Sequence, residues 1–161
     1  MSIPVNLIDE LSHHPHIVAV KDSERSEERL QQSLTLWKDR TDFSHYLGWA
    51  ARSVPALFSG SHGLVPSTGN LVPWIYEEMV KAVGQGNRQR ASEMQELSDL
   101  YGNLYQSGRT LGESIWALKL LMQEEGLCLE HVMPPLYPQA AEQSEKLKNV
   151  FKETQQQHAV K

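Results

Sequence analysis

The sequence predicts an α/β fold followed by a helical C-terminal region, on three observations. The run Ile17-Val18-Ala19-Val20, with three β-branched residues, leads without alternation into Lys21-Asp22-Ser23, as a strand buried on both faces reads where it ends in charge. Two further short strand signals follow, each with a helical segment behind it, so strands and helices alternate through residue 86, the pattern of a parallel sheet with crossover helices. From Asn87 onward the apolar stripes have helical spacing and no strand signal remains.

Composition narrows the partners. A chain of 161 residues with 40% apolar content suits one domain with a sizeable core and excludes a disordered chain. The formal charge of −5, with no basic stripe to offset it, argues against nucleic acid as the main partner. One cysteine, Cys128, allows no internal disulfide and fits a reducing compartment. No apolar run approaches the ~20 residues of a membrane span, and the opening residues lack the regions of a signal peptide. A soluble, cytoplasmic protein without a membrane partner is the expectation.

In chain order, Pro4 suits a first helical position, and Val5, Leu7, Ile8 and Leu11 have helical spacing over residues 4–12. His13-His14-Pro15-His16 reads as a helix-to-strand turn; the metal reading lacks a second set of ligands at suitable spacing. Ser23 or Ser26 caps a helix with Glu24, Glu27 and Glu28 about its first turn and Leu30, Leu34 and Trp37 as its buried stripe. Residues 43–48 read as a second strand ending in Gly48, where a glycine permits close approach by a ligand, and residues 50–58 as a short helix interrupted by Pro55.

Gly60 to Asn70 is glycine-rich. Its spacing fits neither phosphate-binding fingerprint, so a very short third strand over residues 63–66 is preferred to a phosphate cradle. Pro73 opens a helix with Trp74, Ile75, Met79, Val80 and Val83 on its apolar face. Ala91, Met94, Leu97, Tyr101 and Leu104 stripe the next, and Leu111, Ile115, Leu118, Leu121 and Met122 the one after. Met133 to Pro138 is a rigid extended connector, and a last helix carries Leu147, Val150 and Phe151.

Lys21 is the candidate for chemistry. At the C-terminal end of a parallel strand a lysine points into a crevice, where low-dielectric walls favour the neutral amine, and a neutral amine forms a Schiff base with a carbonyl. On the residues alone a structural lysine is the preferred reading, since neither periodicity nor residue type marks one lysine as reactive.

Ile17 to Ser23, Leu47-Gly48, Gly60 to Val65 and Pro135-Leu136-Tyr137-Pro138, in that order and spacing, resemble the second half of the dihydrodipicolinate synthase and N-acetylneuraminate lyase family, over about residues 3–155. The resemblance implies the last three β/α units of a TIM (β/α)8 barrel over residues 1–86 and a C-terminal helical extension over residues 87–161. Lys21 matches the Schiff-base lysine of the sixth strand. Gly48 matches the glycine after the seventh, and Val65 the aliphatic residue of the eighth that lines the pyruvate pocket. Lys119, seven residues before Gly126, matches a lysine of the extension. The implied chemistry is imine formation with pyruvate or a related 2-keto acid, then making or breaking of a carbon–carbon bond through an enamine, with no cofactor and no metal.

The sequence departs from the family pattern in Trp49-Ala50 after Gly48, in Pro66 where a serine is common, and in Met133 where an arginine is common. Absent too are the family's Thr/Ser-rich carboxylate loop and its fifth-strand tyrosine, and 161 residues fall short of the ~250 of a whole barrel. The expectation is therefore a lysine-bearing half-barrel that acts when its other half is supplied by a complementary chain or by self-association. The alternative is an inactive truncated half-barrel serving as an interaction or structural module.

Overall fold

Local chemistry places the elements. Ser26 accepts a hydrogen bond from the Arg29 N–H (3.2 Å) and, with Glu27 and Glu28 behind it, starts α2, Glu27–Trp37. Before it come α1, Val5–Leu11, the His13–His16 turn, and β1, Ala19–Asp22. β2 is Ser44–Leu47. A 3-10 turn at Ala50–Arg52 runs into α3, Ser53–Phe58. Pro55 falls in the first turn of α3, where its missing N–H is no loss, so it interrupts nothing. β3 is Gly63–Leu64, followed by a 3-10 turn at Ser67–Asn70. The remaining helices are α4, Pro73–Gly84; α5, Arg88–Gln106; α6, Leu111–Glu124; and α7, Ala141–Gln157.

This computed structural model describes residues 2–158; Met1 and residues 159–161, at the ends of the expected 1–86 and 87–161 regions, lie outside the described residues. The chain divides into two compact units, residues 1–69 with 73–98, and residues 70–72 with 99–161. Among the described residues no helix is long and apolar enough to cross a membrane.

The first unit is an α/β layer. Three strands lie in the order β1-β2-β3, all parallel, with Lys21 opposite Tyr46, Asp22 opposite Leu47, and Tyr46 opposite Gly63. Successive strand residues face opposite ways, and among the described residues only one face is covered. His45 and Leu47 are buried while Ser44 and Tyr46 are half-exposed, and Asp22 is buried while Lys21 is exposed. Behind the covered face, Leu47 packs with Leu30, Leu34 and Ala56, joined by Trp49 and Leu64. Ile8, Trp37 and Phe43 form a second cluster, with Val5, Ile17 and Val20 against it. Trp37 is fully buried, donates its indole N–H to Asp9 (2.8 Å) and meets the Phe43 ring edge-on at 5.3 Å.

The expectation of a first strand buried on both faces is corrected. β1 begins only at Ala19, Val18 is 64% exposed, and β1 is an edge strand with helices on one side. Several helix stripes are also rotated from their expected faces. On α5 the buried residues include Ala91, Met94, Ser98, Tyr101 and Tyr105, while Leu97 and Leu104 are only half-buried. On α6 they are Ser114, Trp116, Ala117, Leu120 and Leu121, leaving Leu111 79% exposed. On α4 Tyr76 and Ala82 are buried and Val80 is not. The Met133–Pro138 segment turns at Pro134-Pro135, with the Leu136 N–H donating to the Met133 carbonyl (3.0 Å), rather than running extended.

The second unit is helical. Thr110 and Glu113 form a reciprocal capping box at the start of α6, which packs on α7, and Tyr101 meets Phe151 at 6.3 Å. Glu124 holds Lys148 and Lys152 at 3.3 and 3.2 Å.

One buried group makes the first unit sensitive to acid. His45 stacks on Trp37 at 6.1 Å, its Nδ1 is 3.1 Å from the Ser61 hydroxyl, and its Nε2 has no partner among the described residues. Burial pushes the imidazole below its ordinary 6.5; nearby Asp22 opposes this, and His62 and Arg29 reinforce it. The unfolded chain therefore binds a proton on His45 at a pH where the folded chain does not, and stability falls as pH drops below 6.5. Thermal melts from about pH 7.5 to about pH 5.5 will show a falling midpoint, and His45→Gln will flatten that part of the curve. An unchanged slope in the variant would assign the effect elsewhere.

Candidate functional site

The end of β1 is tied down from the covered side. The Asp22 carboxylate receives the Arg29 guanidinium at 2.6 Å and the Glu24 N–H at 2.9 Å, while Arg29 also donates to the Ile3 carbonyl at 2.7 Å. With Asp22 facing the helices, Lys21 and Ser23 face the other way. The same alternation on β2 and β3, with Tyr46 opposite both Lys21 and Gly63, puts Tyr46, Gly48, Gly63 and Val65 on the Lys21 face. The strand ends are knitted by the Gly48 N–H to the Asp22 carbonyl (2.6 Å) and the Val65 N–H to the Leu47 carbonyl (2.8 Å).

Lys21, Gly48 and Val65 are thus brought to one end of one face. The Lys21 stem crosses from β1 onto β2: a methyl group on Gly48 would come within 3.0 Å of Lys21 Cε and overlap the Ser23 hydroxyl. The close approach that a glycine was expected to allow a ligand is thus used by two side chains of the chain itself. Lys21 is exposed and Val65 is 43% exposed, so the expected burial of the amine is corrected: the described residues wall the site from one side only.

Trp49 packs against the helix-side cluster and carries the Arg52 guanidinium 5.3 Å from its ring centroid, so it does not line this face. Lys119 belongs to the second unit, where its amine donates to the His131 carbonyl. Among the described residues no cluster of three or more metal-ligating side chains occurs. A groove lined by Val5, Asp9, Gln31, Thr35 and Leu36 lies between α1 and α2 on the helix side, away from Lys21.

Two residues of this face escaped the sequence reading. Ser23 stands two places after Lys21, and Tyr46 two places before Gly48; the two-residue repeat of a strand was the signal that would have found both. The Tyr46 ring lies on Gly63, where a methyl group would come within 2.8 Å of its Cδ1 and Cε1.

The crowding at Gly48 is measurable. Gly48→Ala will cost about 1–3 kcal/mol in urea unfolding, whereas Gly84→Ala, with nothing within 4 Å, will cost nothing. In a Ser23→Gly background the Gly48→Ala cost will shrink, a coupling expected of residues in contact. Additive costs would place Ser23 away from Gly48.

A profile of the Dihydrodipicolinate synthetase family matches residues 1–154. A 4-hydroxy-tetrahydrodipicolinate synthase of Pseudoalteromonas atlantica is 34% identical over 99 residues, 61% of this chain and 33% of that protein. The dihydrodipicolinate synthase of Bacteroides thetaiotaomicron superposes with a TM-score of 0.84 at 20% identity, over 95% of this chain and 52% of its own. YagE of E. coli K12, a member of the dihydrodipicolinic acid synthase family solved in complex with pyruvate, superposes with a TM-score of 0.74 at 20% identity, over 86% of this chain and 46% of its own. The chain spans from a third to about half the length of the curated relatives it matches. With the profile covering all but the last few residues, the chain belongs to the Dihydrodipicolinate synthetase family.

Proposed function

We propose that Lys21 is the imine-forming amine of a lyase or aldolase site for pyruvate or a related 2-keto acid. On this reading the three strands are the last three β/α units of a (β/α)8 barrel, and residues 87–161 are its helical extension. The observation that carries the proposal is the convergence of Lys21, Gly48 and Val65 on one open face, with the Lys21 stem laid across Gly48. Membership of the family supports it, as does the pyruvate bound by YagE.

The chemistry follows from an amine at that position. Nζ attacks the keto carbon to give a carbinolamine, which loses water to leave a protonated imine. The imine withdraws electrons, so C3 gives up a proton and the enamine attacks an aldehyde carbon; hydrolysis then releases the product and restores the amine. Cleavage runs the same steps backward. Val65 supplies an aliphatic wall beside the adduct, and Ser23 a hydroxyl next to the lysine stem. The outer edges of β1 and β3 pair with further barrel strands, from a complementary chain or a second copy of this one, and the uncovered face turns toward the barrel interior.

Treating the chain with pyruvate and borohydride, alone and mixed with the first half of a relative's barrel, will add one reduced pyruvate to the peptide bearing Lys21. Lys21→Arg will abolish that label. No label on Lys21 in either mixture would contradict the proposal. The exposure of Lys21 favours one other reading, a binding module without catalysis, and a stable but unlabelled complex with the half-barrel would establish it.

A further inference from the structure

We propose that Tyr46 is the floor of the keto-acid site and limits the length of the keto acid that Lys21 accepts, an inference that rests on the reading of Lys21 above. Tyr46 is the cross-strand neighbour of Lys21 on one side and of Gly63 on the other, so all three share a face. Gly48 and Val65 lie two residues further along β2 and β3, roughly 6–7 Å up the strands. The Lys21 stem reaches that upper level, because its Cε is the carbon that a Gly48 methyl would touch. An adduct on Nζ therefore has Gly48 and Val65 beside it and the Tyr46 ring beneath.

The ring is blocked toward β3. Its Cδ1 and Cε1 stand 2.8 Å from where a methyl group on Gly63 would be, so it lies over that glycine, in space that only a glycine leaves free. The covered side of β2 is closed as well, filled by His45 and Leu47. A floor braced on the β3 side discriminates by length: a keto acid with one more methylene must displace the ring or sit higher than the amine can follow. One methylene against a firm apolar wall is worth at least about tenfold in selectivity.

The test is competitive borohydride trapping with pyruvate and 2-oxobutyrate together, read as the ratio of the two masses on the Lys21 peptide, with circular dichroism as the check on folding. The chain will favour pyruvate by about tenfold or more. Tyr46→Ala will bring the ratio near unity, and Tyr46→Leu, which keeps a bulky apolar side chain for folding, will lower it part way. Tyr46→Phe will keep the preference, because the ring rather than the hydroxyl makes the floor. A pyruvate-labelled chain whose ratio in Tyr46→Ala and Tyr46→Leu equals that of the unaltered chain would overturn the floor and leave Lys21 standing. A Tyr46→Phe ratio as low as that of Tyr46→Ala would also overturn it, by assigning the effect to the hydroxyl. A chain labelled by neither acid would remove the reading of Lys21, and this inference with it.

Discussion

Helices α1, α2 and α3 contribute Ile8, Leu30, Leu34, Trp37 and Ala56 to one side of a three-stranded sheet, and the two-residue repeat of a strand then sorts every side chain. His45, Leu47 and Asp22 go under the helices; Lys21, Tyr46 and the Gly48 position go to the open side. Everything said of the site depends on that sorting. Its anchor is the pairing of buried Asp22 with Arg29, which fixes which way the strand faces at the residue after the lysine. A one-residue slip of β1 would send Lys21 into the Trp37 side of the layer and Asp22 to the open face.

The order of elements was legible because strand and helix periods differ, and two helix starts were legible because a serine (Ser23 or Ser26) and Pro73 have few other uses where they stand, whereas the Thr110–Glu113 capping box of α6 was missed. Helix faces were less so. On α6 apolar residues surround the helix, from Leu111 and Ile115 through Trp116 to Leu120 and Leu121, so spacing alone allowed two stripes and the larger Trp116 decided which was buried. On α5 Ser98 and Tyr105 are buried where the leucines beside them looked the better candidates; Ser98 lies 2.7 Å from the Tyr76 hydroxyl, a contact no local pattern announces.

The candidate site was legible in part for a related reason. Lys21, Gly48 and Val65 were found by motif, and their common face follows from register, which a motif does not contain. The run Ile17–Val20 implied burial on both sides, yet Ile17 and Val20 pack on the Trp37 cluster while Val18 stands open. Composition reports how apolar a strand is; the number of its neighbours is set by the sheet. Glycine was expected to make room for a ligand, whereas Gly48 and Gly63 make room for Lys21, Ser23 and Tyr46. The result is an open face on which Lys21, Ser23 and Tyr46 are fitted over two glycines.

The most direct measurement of this account is the reactivity of single cysteines placed along β1 and β2 in a Cys128→Ser background. Thiol modification in native buffer will be fast for Ala19→Cys, Lys21→Cys and Tyr46→Cys and slow for His45→Cys and Leu47→Cys, following the alternation of the two faces. Equal rates on both faces, or protection at position 21 with reaction at position 47, would contradict the placement of Lys21 from which the function is argued.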